Sequence, residues 1–274
     1  IDFYNKNTSD LLAEVAVPAF TNVSDAVITN VAEMYNRGIE LGFNGVLFDR
    51  NDFDWNLLLN LAWNKNQITK LSRGNEDGPG IPVGGISGDV GQTIKIWKVG
   101  QPYDAFYTYV RDPNGVEKDG EFYQDVDDDG IINENDLQIT GKPDPDLLIG
   151  LTSNMRYKDF TLNFTLRSNI GQEIYNNTAS SNGYYEQLYQ GGIVNNIHES
   201  VIESGYNRRN LHSDFYIENG TFLVLDNITL AYTYRNLNWM DLRVYTTVQN
   251  LFTLSPYSGP NPEIGNGIDN NLYP

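Results

Sequence analysis

Apolar and polar residues alternate with a period of two along several stretches of the chain. In the clearest stretch, at 53–64, every second residue is large and apolar: Phe53, Trp55, Leu57, Leu59, Leu61 and Trp63. The same period recurs at 39–44, 160–167 and 242–249. Because successive side chains of a β-strand point to opposite faces, this periodicity predicts strands with one apolar and one polar face.

The alternating stretches predict seven strands that are joined by two kinds of connection. The predicted strands lie at 1–11, 31–48, 53–69, 146–156, 160–169, 221–234 and 241–254. Short connections fall at 49–52, 157–159 and 235–240. Long connections fall at 12–30, 70–145 and 170–220. Short and long connections alternate strictly, so that all the long ones leave the sheet at the same end.

This arrangement predicts an all-β fold, an antiparallel transmembrane β-barrel with long extracellular loops. Outer-membrane barrels have short periplasmic turns and long outer loops, and about 9–11 residues of strand cross the bilayer. Seven is an odd number and bacterial single-chain barrels use even ones, so residues 1–274 are expected to be part of a larger barrel, with further strands before Ile1 and after Pro274. A soluble β-sandwich would show the same alternation and stays the alternative.

The apolar faces of the predicted strands are expected to meet lipid. On the strand at 160–169 the outward residues would be Phe160, Leu162, Phe164 and Leu166. The residues facing the lumen would be Thr161, Asn163, Thr165 and Arg167. Aromatic residues near strand ends fit the interfacial girdles of such barrels: Trp55, Trp63, Tyr157, Phe160, Tyr232, Tyr234 and Trp239.

Composition narrows the range of partners. The chain carries 36 acidic and 18 basic residues, a net charge of −18, which argues against a nucleic-acid partner because phosphate binding needs a basic surface. It contains no cysteine, so neither a disulfide nor a thiolate metal site can form. No run approaches the roughly 20 apolar residues of a membrane-spanning helix.

The stretch DVDDDGIINEND at 125–136 matches the pattern of an EF-hand calcium loop. Gly130 takes the sixth position, where the sharp turn needs glycine. The predicted ligands at positions 1, 3, 5, 7, 9 and 12 are Asp125, Asp127, Asp129, the backbone carbonyl of Ile131, Asn133 and Asp136. The stretch therefore predicts a structural calcium ion (Ca²⁺) that orders the long connection at 70–145. A solvated acidic turn is the alternative.

Nothing in the sequence singles out a catalytic site. The two histidines, His198 and His212, both fall in the connection at 170–220, and His212-Ser213-Asp214 is contiguous, whereas triad members converge from separate elements. The chain is predicted not to be an enzyme. A soluble calcium-dependent adhesion or glycan-binding module remains the functional alternative, and the tyrosine-rich segment at 182–192 could stack on sugars in either interpretation.

Five motifs resemble, in order, the C-terminal barrel region of the SusC/RagA family of TonB-dependent outer-membrane transporters. They are NRGIELGFNG at 36–45, FDWNLLLNLAWNKNQITKL at 53–71, the acidic stretch with its flanks at 120–151, NGTFLVLDNITLAYTY at 219–234 and LRVYTTVQNLFTLSPYSGPNPE at 242–263. The resemblance covers essentially the whole chain. Three positions depart from the family pattern. Val224 stands where the family usually has Arg, Asp226 where it often has a basic residue, and Asn261 where it has Asp. These departures indicate a divergent member.

The resemblance implies import across the outer membrane of a Gram-negative bacterium. Transporters of this family work with a SusD-like surface lipoprotein that covers the barrel, and the TonB complex acts through an N-terminal plug that this chain does not include. The ligand would be an oligosaccharide or a peptide too large for porins. The acidic loop would lie on the extracellular side, and residues that contact the ligand cannot be chosen from the sequence.

Overall fold

The computed structural model describes residues 1–16, 26–71, 78–87, 92–209, 211–237 and 239–270. In chain order its strands are β1 (Asp2–Ala16), β2 (Ala26–Arg50), β3 (Phe53–Leu71), β4 (Ile81–Gly85), β5 (Thr93–Trp97), β6 (Ala105–Thr108), β7 (Arg111–Lys118), β8 (Glu121–Tyr123), β9 (Gln138–Gly141), β10 (Leu147–Tyr157), β11 (Phe160–Ile170), β12 (Glu173–Tyr175), β13 (Ile217–Asn219), β14 (Phe222–Leu237) and β15 (Met240–Leu254). The α-helices are α1 (Asn177–Asn182) and α2 (Ser200–Ser204), and short 3₁₀ helices lie at Glu134–Asp136, Tyr185–Gly192 and Asp214–Tyr216.

The seven long strands form one antiparallel sheet in the order β1-β2-β3-β10-β11-β14-β15. These are the seven strands that the alternation predicts. Short links join β2 to β3, β10 to β11 and β14 to β15, so they lie together at one end of the sheet. The long connections leave from the other end, as the alternation of connection lengths predicts.

The predicted connection at 12–30 is wrong at both of its ends. β1 continues to Ala16 and β2 already begins at Ala26, with Ala16 paired to Ala26, and residues 17–25 lie outside the described ranges. The sequence signal fails because the β1–β2 ladder shifts register between Thr8 and Leu11. A β-bulge inserts an extra residue and switches the faces of the strand, so the period of two is interrupted while the backbone pairing continues.

The sheet has two chemically distinct faces that run unbroken from strand to strand. Opposed residues of paired strands share a face. One row across six strands is entirely apolar and runs through Phe43, Leu59, Leu151, Leu166, Leu225 and Phe252. The adjacent row, on the opposite face, is mainly polar and runs through Asn44, Leu58, Thr152, Thr165, Asn227 and Gln249. We call these the outward and inward faces.

Among the residues that the structure describes, no second sheet packs against the outward face. Leu59, Leu151 and Leu166 are half-exposed, and Phe43 and Phe252 are exposed. Inward residues bond to one another across strands, as the hydroxyls of Thr152 and Thr165 do at 3.4 Å. A β-sandwich would bury its apolar faces against each other, and the described residues of this chain do not pack in that way.

The long connections at 70–145 and 170–220 fold together with the segment after β15 into a compact region, here called the cap, made of residues 78–87, 92–146, 171–209, 211–221 and 255–270. Its core draws side chains from both connections and from the segment after β15: Ile86, Ile94, Phe106, Tyr175, Ala179, Tyr206, Tyr216 and Ile268. β4, β5, β6 and β9 form a four-stranded sheet within it. The sequence predicted long connections here but none of these strands, because segments of three to eight residues are too short to establish a period.

The cap rests on the protruding upper part of β2 and β3. Trp97 packs with Ala32, Ile68 and Leu71 in a second buried cluster. The Asn66 side chain accepts a hydrogen bond from the Tyr103 backbone N–H at 2.8 Å. These contacts fix the cap to the end of the sheet opposite the short turns. No helix within the described ranges is long and apolar enough to cross a membrane.

Candidate metal site and the cap around it

The acidic stretch forms a separate loop between β8 and β9. The β7–β8 hairpin leads into it, and the Gln124 backbone N–H donates to the carbonyl of Val110 at 2.9 Å. The loop ends in the 3₁₀ turn at Glu134–Asp136, after which β9 joins the four-stranded sheet. The loop is thus held at both ends by elements of the cap.

Three of the predicted ligands come together. Asp125, Asp127 and Asp136 each offer a carboxylate oxygen, and these oxygens lie within 4.8 Å of one another. Asp125 is half-buried, Asp127 is exposed and Asp136 is fully buried. Positions 1, 3 and 12 of the loop pattern therefore converge on one point, as expected if the stretch folds around a cation.

The buried carboxylate of Asp136 closes the loop on itself. Its Oδ1 accepts from the Val126 backbone N–H at 2.7 Å, and its Oδ2 accepts from the Asn133 backbone N–H at 2.8 Å. The Asn133 side chain in turn caps the 3₁₀ turn by accepting from the Asn135 N–H. Because an ionised carboxylate has about four lone-pair sites, each oxygen of Asp136 keeps acceptor capacity for a cation.

Of the other predicted ligands, Asp129 does not belong to this group of carboxylates, and Asp129, Ile131 and Asn133 all take part in hydrogen bonds within the turn. Asp129 Oδ1 accepts from the Ile131 backbone N–H at 2.7 Å, and the Ile131 carbonyl accepts from the Asn133 side-chain amide at 3.1 Å. Asp125 also accepts from the Gly130 N–H at 2.7 Å, where Gly130 has φ +77°. A left-handed residue is needed at this tight turn, which explains why glycine occupies the position.

The donor set consists of oxygen atoms, the preference of a hard cation such as calcium. Converging carboxylates repel one another at the short distances seen here, and a divalent cation would relieve that repulsion. Behind the loop, Ile132 is buried and the ammonium group of Lys118 donates to its carbonyl at 2.6 Å. The three converging carboxylates therefore suit a calcium ion in their chemistry.

The hairpin that carries the loop also ties two connections of the cap together. The Arg111 guanidinium pairs with Glu121 at 3.2 Å and lies 4.5 Å from the ring centroid of Phe215. The Tyr206 hydroxyl donates to Glu121 at 2.8 Å. Burial, together with the Glu121 carboxylate, raises the pKa of Tyr206 far above its ordinary value. Order in the loop is thus linked to order in the segment at 171–221.

The tyrosine-rich segment at 182–192 divides its rings between the core and the surface. Tyr184 packs against the core cluster, whereas Tyr185 and Tyr189 are exposed on the 3₁₀ helix. Beside Tyr184 lies a polar cleft of about 240 Å³. Its lining consists of Ser87, Asn177, Thr178, Ser181, Asn182, Tyr184, Gln187, Gln190, Arg209 and Asn270. No sequence pattern indicates this cleft, because its walls come from the connections at 70–145 and 170–220 and from the segment after β15.

Comparison with known proteins identifies relatives of this chain. No protein-family model matches it, but individual proteins do. The TonB-dependent receptor SusC of Bacteroides thetaiotaomicron is 36% identical over 100% of this chain, which covers 28% of that receptor. The TonB-dependent receptor P3 of Formosa agariphila is 28% identical over 98% of the chain and 29% of the receptor. The chain thus spans under a third of the length of these relatives.

Solved structures agree on the fold. The RagAB peptide importer in its closed-closed state matches 97% of this chain with a TM-score of 0.70 at 21% identity, and the chain covers 31% of that protein. The open-open state of the same importer gives a TM-score of 0.68. The sheet and its cap are therefore a segment of the β-barrel of a TonB-dependent receptor. Within that class, the chain belongs to the family of the TonB-dependent receptor SusC, and it shares the fold of RagAB.

Proposed function

We propose that the protein containing this chain imports a large nutrient across the outer membrane of a Gram-negative bacterium. The relatives are named receptors and an importer rather than enzymes, and import involves no covalent change of the ligand. In this proposal the chain forms the C-terminal part of the barrel, the inward face lines the lumen and the cap lies outside the cell.

The observation that carries this proposal is the apolar band on the outward face. Along β3 it begins at Trp55 and ends at Trp63. Eight residue steps of about 3.3 Å, at a strand tilt of about 40°, raise Trp63 about 20 Å above Trp55. Outer-membrane barrels carry an apolar band about 25 Å tall between two aromatic girdles, and the height of this band is close to that value.

Aromatic contacts mark the lower border of the band, at the end with the short turns. Trp55 stacks on Phe48 with ring centroids 5.9 Å apart, and Phe160 packs on Tyr232 at 4.8 Å. Charged residues follow immediately at the turns, where Arg235 and Asp159 lie 3.7 Å apart. This succession of apolar, aromatic and charged levels supports placing these turns at a membrane–water interface, and their shortness favours the periplasmic side.

We propose a SusD-like lipoprotein and the TonB complex as partners. RagAB and SusC are the relatives that support this, and the exposed Tyr185 and Tyr189 of the cap offer a surface to such a lipoprotein or to the ligand. The ligand is an oligosaccharide or a peptide. One of the solved relatives is named a peptide importer, and the walls of the polar cleft suit hydroxyl or amide groups of either ligand.

We further propose that the loop at 125–136 binds one structural calcium ion. Asp125, Asp127 and Asp136 would supply the carboxylates, and the convergence of their oxygens supports this. Asp129, Ile131 and Asn133 would complete the site by small rearrangements within the turn. The ion would hold the β7–β8 hairpin in place and would take no part in transport itself.

Fractionation of cells that express the intact protein tests the proposal. The expected result is recovery in the outer membrane, a mobility shift on boiling in a detergent gel and co-purification of a lipoprotein. Recovery as a soluble protein without detergent would contradict the proposal, and so would a membrane protein that imports no oligosaccharide or peptide in a growth assay.

A further inference from the structure

Two basic side chains lie directly beside each other on the outward face, just above the apolar band. In the β2–β3 ladder, Arg37 is opposite Lys65, in the level that follows Ile39 opposite Trp63. Both side chains are exposed. Opposed residues of an antiparallel pair have Cβ atoms about 5 Å apart, and like charges in this arrangement destabilise the sheet.

The surrounding described residues do not neutralise these charges. None of the ion pairs found among them includes Arg37 or Lys65. The outward residues next to them on β1 to β3 are neutral: Asn5, Asn7, Tyr35 and Gln67. In a chain with twice as many acids as bases, an unneutralised pair of bases at this position indicates an anion from outside the chain.

The height of the pair suits the headgroup layer of a membrane. Lys65 is two residues beyond Trp63, which corresponds to a rise of about 5 Å along a tilted strand. A bilayer has a hydrocarbon core of about 30 Å and a total thickness of about 40–45 Å, so each headgroup layer is about 5–7 Å deep. If Trp63 marks the edge of the hydrocarbon, Arg37 and Lys65 lie at the level of lipid phosphates.

The contacts around Arg37 and Lys65 also position their side chains to bind a phosphate. The guanidinium of Arg37 lies 4.7 Å from the ring centroid of Tyr35, and the Tyr35 hydroxyl donates to Gln67 at 2.5 Å. Gln67 in turn donates to the Gly100 carbonyl at 2.5 Å, which ties Tyr35 to the cap. Arg37 is thereby restrained beside Lys65, and one phosphate has enough acceptor oxygens to bridge both groups.

We propose that Arg37 and Lys65 bind the phosphate of an anionic lipid headgroup in the outer leaflet. This inference rests on the membrane-spanning barrel of the proposed function, with the cap outside the cell. The bound phosphate attracts both side chains and so offsets the repulsion between Arg37 and Lys65. Lipid binding therefore stabilises the β2–β3 hairpin that supports the cap.

The test uses the intact transporter in nanodiscs of phosphatidylcholine, with or without bis-phosphorylated lipid A. In the lipid A discs, the double variant Arg37→Gln/Lys65→Gln should lower the denaturation temperature and the amount of lipid A retained in native mass spectrometry, with about fivefold weaker retention per charge removed. In phosphatidylcholine alone, the same variant should raise the denaturation temperature, because the repulsion is gone. This reversal of sign is the signature of the site.

Lys6→Gln is the matched control. Lys6 lies at the same level, opposite Asn36, but on the inward face, so its removal should leave lipid A retention unchanged. Equal losses for both variants, or a double variant that behaves alike in the two kinds of disc, would overturn the inference. Stabilisation by inorganic phosphate or by dephosphorylated lipid A equal to that by lipid A would overturn the lipid phosphate as ligand. Failure of the intact protein to insert into discs would instead contradict the proposed function.

Discussion

The cap and the seven-stranded sheet differ in the burial of their apolar residues. In the cap, Ile94, Phe106 and Tyr175 are completely buried among other side chains. In the sheet, Leu59 and Leu166 lie half-exposed on a face that no other sheet covers in the part of the chain that the structure describes. An apolar surface that extends over six strands exceeds what a water-soluble monomer keeps exposed. In the proposed barrel the cap therefore meets water, and the outward face of the sheet meets lipid.

The largest expected effect tests the cap side of this comparison. Phe106→Ala removes a fully buried ring from the core that joins the connections, which should destabilise the cap by about 3–5 kcal/mol. Limited proteolysis of the intact protein should then cut within 78–146 or 171–221, while the barrel keeps its mobility shift on boiling. Phe122→Ala is the control, because Phe122 is 42% exposed. If Phe106→Ala also abolished the mobility shift on boiling, the cap and the barrel would unfold together, which would contradict the expectation that the cap can unfold while the barrel stays folded.

The sheet side is tested by two adjacent leucines. Leu59 pairs with Phe43 and Leu151 on the outward face, and Leu58 pairs with Asn44 and Thr152 on the inward face. Leu59→Arg should cost about 2–4 kcal/mol, the penalty for a cation near the bilayer midplane, whereas Leu58→Arg should cost less than about 1 kcal/mol because it reaches the lumen. Urea titration of the folded barrel in lipid vesicles measures both, and equal costs would refute the assignment of the faces.

Alkaline pH should act on the cap through its buried tyrosines. Burial raises the pKa of Tyr216 to about 12, and burial raises the pKa values of Tyr123 and Tyr206 further. A folded pKa above the unfolded value near 10 contributes stability that is complete below about pH 10 and is lost as the pH rises through the folded pKa.

For Tyr216 this loss should amount to about 2–3 kcal/mol between about pH 10 and 12. Hydrogen exchange of cap amides as a function of pH measures it, with the sheet amides as internal reference. Tyr216→Phe should reduce the alkaline loss, because phenylalanine carries no titrating hydroxyl. A pH profile that is unchanged by this substitution would show that other groups control the alkaline transition of the cap.

The smallest expected effect concerns calcium. Asp125→Asn removes one of three converging carboxylates and should weaken calcium binding about tenfold, or about 1.4 kcal/mol. Asp128→Asn is the matched control, since Asp128 lies outside the group and has φ +57°, a conformation that Asn also tolerates. Calorimetric titration with calcium measures both variants, and the absence of any calcium binding by the parent protein would refute the site.

The strands of the sheet could be predicted from the sequence because the alternation of apolar and polar residues is a local pattern. The alternation at 53–63 and 160–167 reports directly which residues share a face, and the pairing of strands follows from the short turns. The bulge near Ser9 and Asp10 hid the continuation of β1, since the register shift interrupts the period. Local patterns therefore predict strands well only as far as the ladder stays regular.

The sequence predicted part of the candidate metal site, but it did not predict the structure of the cap. Of the predicted ligands, Asp125, Asp127 and Asp136 bring their carboxylates together and Asp129 does not join them; a turn of twelve residues is a local structure, so its loop pattern is visible in the sequence, whereas calcium binding stays a prediction. Contacts such as Arg111 with Phe215, or Asn177 with Asn270, join residues that are distant along the chain. No single-sequence pattern reports such pairs, so the cap and its cleft emerge only from the structure.

The most direct test of the lipid-facing sheet is a cysteine scan of β11 in the intact transporter. This chain has no cysteine of its own, so a nitroxide label can be placed at one position at a time from Phe160 to Arg167, with any cysteine elsewhere replaced by serine. In liposomes, labels at 160, 162, 164 and 166 should be accessible to oxygen dissolved in lipid, and labels at 161, 163, 165 and 167 to a water-soluble nickel complex. Accessibility without a period of two, or with the two sets exchanged, would contradict a barrel whose apolar face meets the membrane.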